Sequence, residues 1–319
     1  MTNAGIREAY ALLYVREQGR SMHANLNTRS DPVDIYLRCA ATCRTSFRAQ
    51  GADLVVVTNA ASKLRERCER LGLIEQIQLR EHRFHLEVPE DLKFFEAHYK
   101  LDLFDAFGRG EFGANPTLVD LDTVLLRPLR APAGLGLYDI TSHVVPAYSE
   151  GRIRKDLQNL AAVTVETVRW FGGEFISAAA DTYRRLSTNV RRLWPRYLDI
   201  AKSLHHVGDE MVVNAALQPL MQDGFEPDDF GTSGDVSRWW SARTLSKLDA
   251  LGQVKGTALL HLPADKKFLA HRRLSEDHFT DRFFTCYVPY ARRRIAVRKA
   301  ASVVDRIRGK SRLFVPMLE

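Results

Sequence analysis

The sequence predicts an α/β protein with a mixed, mainly parallel sheet flanked by helices. Three observations predict this. From residue 10 to residue 107, short apolar runs alternate with helical patterns, as in β-α-β units. One run, Ala52-Asp53-Leu54-Val55-Val56-Val57-Thr58, reads as a strand buried on both faces. The 319 residues are 45% hydrophobic and 27% charged, an ordinary globular composition with material for a large core.

The elements follow in order. Residues 10–15 read as a first strand, 34–50 as an amphipathic helix and 52–58 as the buried strand. A helix over 62–71 is stopped by Gly72, and a strand follows over 74–79. Residues 91–107 read as a helix with Gly108 as its C-cap. Residues 117–126 then form an apolar strand, and Pro128, Pro132, Gly134 and Gly136 punctuate a loop. In the second half, Gly172 and Gly173 precede a helix predicted over 176–193. Another helix covers 209–220, residues 223–235 form a loop, and 257–262 form a late strand. No internal repeat is visible. The expected division is one domain over 1–290 and a basic tail over 291–319.

The net charge of +7 is unevenly placed: residues 291–312 hold nine Arg and Lys against the single acid Asp305. Such an excess suits an anionic partner: nucleic acid, a phospholipid surface or a phosphorylated substrate. On a helical wheel over 294–308, Ala296, Ala300, Val303, Val304 and Ile307 share one side. Arg294, Arg298, Lys299 and Arg306 lie largely opposite. This pattern fits either a terminal helix docked with its basic face in water or one adsorbed to an anionic membrane. No segment reaches the roughly 20 apolar residues that span a bilayer, and the first residues lack the order of a signal peptide. Cys39, Cys43, Cys68 and Cys286 form neither a disulfide framework nor a zinc pattern. A cytoplasmic protein is expected, peripheral on the inner face of the membrane if the tail adsorbs.

Chemistry enters with Asp120 and Asp122. Side chains at i and i+2 of a strand share a face, so both carboxylates would project together from an apolar run. Buried carboxylates need compensation, and a hard divalent cation that also holds phosphates is a natural one. The alternative is a pair of solvated loop aspartates, against which the flanking Leu118, Val119, Val124 and Leu125 argue.

The run Tyr99-Lys100-Leu101-Asp102-Leu103-Phe104, followed by Val119-Asp120-Leu121-Asp122, resembles the donor-binding half of GT-A fold glycosyltransferases. Gly208-Asp209-Glu210-Met211-Val212-Val213-Asn214 is similar to a helix start of glycosyltransferase family 8 and its relatives. Gly172-Gly173-Glu174-Phe175-Ile176 resembles the segment that shapes the sugar and acceptor pocket. Leu260-His261-Leu262-Pro263 resembles the late strand whose histidine completes the metal site. The matches occur in family order over residues 52–268. The run after His261 lacks the family-8 glycine, so the resemblance is to the GT-A superfamily rather than to one sequence family.

The resemblance implies a single GT-A-like domain and transfer of a sugar from a nucleotide diphosphate-sugar to a glycan or lipid-linked acceptor, of surface polysaccharide or lipopolysaccharide type. It implies Mn²⁺ or Mg²⁺ held by Asp120, Asp122 and His261. Lys100 and Lys266, or its neighbour Lys267, would meet the diphosphate, and Thr58 and Asn59 would join them in binding the donor. Asp209, Glu210 and Glu174 would serve the sugar and acceptor, since glycosyl transfer through an oxocarbenium-like state favours a nearby carboxylate. Asp209 also reads as a simple N-terminal helix carboxylate, and His261 as a core histidine. No nucleic-acid partner is expected.

Other patterns point elsewhere. Gly108-Arg109-Gly110-Glu111-Phe112-Gly113 matches the dinucleotide fingerprint in letters but follows a helix and precedes a strand. His82 with His85, and His205 with His206, lack companions at zinc spacing. Trp239 and Trp240, beside Arg238 and Arg243, could stack on a ring or fill the core. Two further functions remain. A sugar-phosphate nucleotidyltransferase would show a Gly-rich basic loop after the first strand, of which Arg16-Glu17-Gln18-Gly19-Arg20 is a poor version. A non-enzymatic membrane- or nucleic-acid-binding protein would use the tail alone and leave the Asp pair unexplained.

Overall fold

The computed structural model describes residues 5–16, 31–240 and 251–307. The order is β1 Glu8–Leu12, α1 Pro32–Ala49, β2 Asp53–Thr58, α2 Ala61–Leu71, β3 Gln78–Glu81, α3 Tyr99–Gly108, β4 Thr117–Val119 and β5 Thr123–Leu125. Then come β6 Gly136–Asp139, α4 Thr141–Tyr148, α5 Glu150–Ala161, β7 Phe171–Ser177, α6 Ala180–Ile200 and α7 Asp209–Gln222. Last are β8 Asp228–Asp229, β9 Val236–Arg238, α8 Leu251–Val254, β10 Leu259–His261, α9 Lys266–His271 and α10 Phe279–Ile307.

Seven strands form one sheet in the order β3-β2-β1-β4-β7-β6-β8. The β3-β2-β1-β4 half is parallel, and β7 runs antiparallel to both β4 and β6. Leu54, Val55, Val56 and Val57 are all buried, as a central parallel strand covered on both faces requires. Asp31 and Pro32 start α1: the Asp31 carboxylate accepts from the Val33 amide at 2.8 Å, and Pro32 occupies the first turn, where no N–H is needed.

A second sheet, β5-β10-β9, packs on its own apolar cluster. One face of α1 (Ile35, Cys39) joins that cluster with Phe279, Phe283, Tyr287 and Ala291 of α10, a stripe at four-residue spacing. Cys39, Cys43 and Cys68 are buried and unpaired, and Cys286 is a half-buried free thiol.

The mixed, mainly parallel sheet agrees with the sequence reading, and several local readings are corrected. The first strand spans Glu8–Leu12 rather than 10–15. Residues 74–76 form a 3-10 turn, and the strand expected there is β3, four residues long. The helix expected from 91 begins only at Tyr99. Phe94 sits in the left-handed region at φ 59° and is followed by a 3-10 turn over Phe95–His98, which breaks any earlier helix. Gly108 is not a cap but the last helical residue; the left-handed glycine is Gly110, at φ 77°. Gly172 and Gly173 lie inside a strand, not before a helix, and the helix starts at Ala180. Every residue of β7 is buried, so its apolar run belongs to the sheet.

Asp120 and Asp122 also do not lie in a strand. Val119 ends β4 in the large sheet, Thr123 begins β5 in the small one, and the pair sits on the turn between them.

α10 passes unbroken through the expected 290/291 division. Ala291 is buried, and Arg294 pairs with Asp265 at 2.8 Å. Beyond it Ala296, Val297 and Ala300 are exposed. Of the expected amphipathic pattern, the side chains of Arg298, Lys299, Val303, Val304, Arg306 and Ile307, and all of 308–319, lie outside the described residues. No described helix is long and apolar enough to cross a membrane.

Gly108 shows how closely α3 and α6 approach. A Cβ there would lie 2.8 Å from Arg184 Cα and 2.9 Å from its backbone nitrogen. Neither atom can yield without moving α6. Gly108→Ala is therefore expected to lose about 1–3 kcal/mol of stability. Gly151→Ala, in α5 with open space around it, should gain up to about 1 kcal/mol from helix propensity. Urea unfolding of both variants checks the pair of signs.

Candidate active site at the corner between the sheets

The turn that carries the two aspartates is tied to both sheets. The Asp120 amide donates to Glu174 O on β7 at 3.2 Å, and the Leu262 amide after β10 donates to Asp122 O at 2.9 Å. The Thr123 hydroxyl donates to Asp120 O at 2.7 Å. The two carboxylates therefore converge through a turn rather than through strand alternation.

Other elements aim side chains at this corner. His261, at the end of β10, places Nε2 3.2 Å from Asp122 Oδ1 and 3.8 Å from Asp120 Oδ2. One ligand atom from each of Asp120, Asp122 and His261 can lie within 4.8 Å of the other two. Lys100, in the first turn of α3, has Nζ 2.6 Å from Asp120 Oδ1 and 3.3 Å from Asp209 Oδ2, and donates to Gly173 O at 3.1 Å. Lys266, the first residue of α9, has Nζ 2.6 Å from Asp122 Oδ2. Lys267 points outward and is exposed.

Behind this group lies a second layer, held by Arg238, whose role there the sequence reading missed. Arg238 of β9 grips Glu174 with two contacts of 2.6 Å and reaches Glu210 Oε1 at 3.0 Å. Glu210 also accepts from the Gly173 amide at 3.1 Å and from Trp170 Nε1 at 3.2 Å. His261 Nδ1 lies 3.3 Å from Glu174 Oε1. Glu174 was expected to face sugar and acceptor; the structure instead buries it completely, between Arg238 and His261. One signal could have found Arg238: it shares a strand face with buried Val236, an unusual place for an unpaired arginine.

The charges decide what the corner can accept. Five carboxylates (Asp120, Asp122, Glu174, Asp209, Glu210) face three permanent cations (Lys100, Lys266, Arg238). With His261 neutral, as a ligand to a cation must be, the cluster carries two net negative charges; with the imidazole protonated it carries one. Burial alone would neutralise Asp122, but Lys266 and His261 outweigh it and hold the carboxyl well below the usual range. Asp120 is pushed upward, because burial outweighs Lys100 and His261. Burial lowers His261, yet Asp122 and Glu174 overcome it and raise the imidazole to about 9. Arg238 likewise keeps Glu174 and Glu210 low against burial.

Lys266 Nζ donates to Pro263 O at 3.0 Å. The same Nζ pairs with Asp122 Oδ2 at 2.6 Å. Two hard carboxylates and an imidazole within reach of one another match the donor set of Mn²⁺ or Mg²⁺.

The remaining expected residues are engaged otherwise. Thr58 is buried, and its hydroxyl accepts from the Ala60 amide at 3.3 Å. The Asn59 side chain exchanges two 2.8 Å hydrogen bonds with the Val15 backbone, joining the ends of β1 and β2. His82 lies 3.9 Å from Asp102, and His205 Nδ1 lies 2.8 Å from Asp156, both apart from the corner cluster. Trp239 fills the smaller core, and Trp240 is half-buried. Arg243 and the stretch from Glu17 to Arg20 lie outside the described residues.

No protein-family model matches the chain, and no curated protein matches it. Solved structures do. The bifunctional glycosyltransferase WbbM, in its apo form, aligns over 88% of this chain with 11% identity and a TM-score of 0.50. This chain spans about half of that one, 52%. The galactosyltransferase LgtC, in complex with donor and acceptor sugar analogs, aligns over 85% of this chain and 98% of its own, with 12% identity and a TM-score of 0.45. The fold is the GT-A fold shared with WbbM.

Removing one partner of a buried pair exposes the other's desolvation cost. Arg238→Met should destabilise the fold by about 3–5 kcal/mol, because buried Glu174 loses its two-pronged partner and keeps only His261. Adding Glu174→Leu should restore most of that loss. Chemical denaturation of wild type, single and double variants measures the cycle.

Proposed function

We propose that this chain is a metal-dependent glycosyltransferase. It moves a sugar from a nucleotide diphosphate-sugar to a glycan or lipid-linked acceptor of surface polysaccharide or lipopolysaccharide type. One observation carries the reading: Asp120, Asp122 and His261 converge between Lys100 and Lys266 at a corner where carboxylates outnumber cations. The shared fold adds to it.

In this reading Asp120, Asp122 and His261 hold Mn²⁺ or Mg²⁺. The bound ion supplies Lewis-acid stabilisation of the departing diphosphate. Lys100 and Lys266 add point charges for the same oxygens and are held at the two aspartates before the donor arrives. Such preorganised charge stabilises a developing anion without reorganisation.

The three candidate carboxylates then separate by what each has left to offer. Both oxygens of Glu210 already accept hydrogen bonds, from Arg238 and the Gly173 amide on one side and from Trp170 on the other. Glu174 is enclosed. Asp209 meets Lys100 through one oxygen, at 3.3 Å. We therefore place Asp209 against the sugar, as a hydrogen-bond acceptor and a negative charge for an oxocarbenium-like state. Glu210 serves as a fixed neighbouring charge that orients it.

The reading is tested by incubating the protein with a panel of nucleotide diphosphate-sugars and Mn²⁺. Release of nucleoside diphosphate is expected, and release of pyrophosphate would point to a nucleotidyltransferase instead. Asp122→Asn should reduce turnover by about 10²-fold or more, the scale of losing one preorganised electrostatic group. An Asp122→Asn protein that stays folded and turns over at the wild-type rate contradicts the assignment.

A further inference from the structure

We infer that Glu174, clamped by Arg238, is a positioning residue for His261. It fixes the imidazole with its proton on Nδ1, so that Nε2 is the atom offered to a cation. The inference rests on the proposed reading of Asp120, Asp122 and His261 as an ion site.

His261 presents its two ring nitrogens to different neighbours. Nε2 faces Asp122 at 3.2 Å and Asp120 at 3.8 Å, and Nδ1 faces Glu174 Oε1 at 3.3 Å. An imidazole that binds a cation through Nε2 must carry its proton on Nδ1, and that proton needs an acceptor. Glu174 is the acceptor in place. A carboxylate behind a histidine ligand is a recurring means of setting tautomer, ring orientation and basicity.

The surroundings of Glu174 serve this role and exclude contact with substrate. Its side chain is fully enclosed, and Arg238 meets both of its oxygens at 2.6 Å. Gly172 makes the arrangement sterically possible. A Cβ there would fall 2.0 Å from Glu174 Oε2 and 2.9 Å from Arg238 Nη2. The same guanidinium continues to Glu210 at 3.0 Å, so one arginine links the ligand histidine to the carboxylate beside Asp209.

The test uses the full chain and Mn²⁺, with unbound Mn²⁺ followed by electron paramagnetic resonance. The double variant Glu174→Leu/Arg238→Met removes the pair together, Glu210 keeps its hydrogen bonds from the Gly173 amide and Trp170 Nε1, and circular dichroism reports whether the variant is folded. Its Mn²⁺ affinity is expected to fall about 10–100-fold, the usual effect of losing such a partner. A second measurement needs no variant. Long-range ¹H–¹⁵N correlation spectra of the wild type with saturating Mg²⁺ should show the His261 proton on Nδ1. Unchanged Mn²⁺ affinity in the folded double variant, or a proton on Nε2 in the Mg²⁺ form, overturns the proposal. A wild-type chain that binds no Mn²⁺ overturns the ion-site reading with it, so the two failures are told apart.

Discussion

Five carboxylates meet where the chain steps from one sheet to the next, and much of the local structure answers their charge. Carboxylates removed from water without partners would take up protons or unfold the site. Here three cations arrive from three separate elements: Lys100 from α3, Arg238 from β9 and Lys266 from α9. The layout gives the smaller sheet its purpose. Its strands β10 and β9 bring His261 and Arg238 to a corner that β4 and β7 of the larger sheet have already formed.

The cluster is graded from wet to dry. The Asp120 side chain keeps 25% of its surface exposed, Asp122 keeps 4% and Glu174 none. Asp120 stands at the open side of the cluster, while His261 and Glu174 hold the geometry from within. Glycine permits this layering twice. A side chain at Gly172 would displace Glu174, and one at Gly173 would come 3.0 Å from Asp209 Oδ2. Glycine inside a strand often marks such a close approach.

Much of this was legible in the sequence, and the failures have identifiable causes. The β-α alternation announced the parallel half of the sheet, because both periods are local. The Asp pair stood out because apolar residues flank it, although a turn rather than a strand brings the carboxylates together. Lys100, Asp209, Glu210 and His261 were found through their order along the chain, and the fold gathers them. The strand β7 was hidden, because two glycines and a glutamate in an apolar run look like a break before a helix. The pairing of Arg238 was hidden for another reason. Its partners lie 64 and 28 residues away in sequence, and no local pattern reports so distant a pairing. Thr58 and Asn59, which the resemblance implied at the donor, have polar groups hydrogen-bonded to nearby backbone.

The central claim is that the corner becomes a donor site when a divalent cation completes its charge. It is tested most directly by a thermal-shift screen of nucleotide diphosphate-sugars with and without Mn²⁺, because a ligand bound only by the native state raises its stability. The account predicts at least one nucleotide-sugar that raises Tm only when Mn²⁺ is present. A nucleotide-sugar that stabilises the protein equally with and without Mn²⁺, or a panel that never shifts Tm with the ion present, would contradict it.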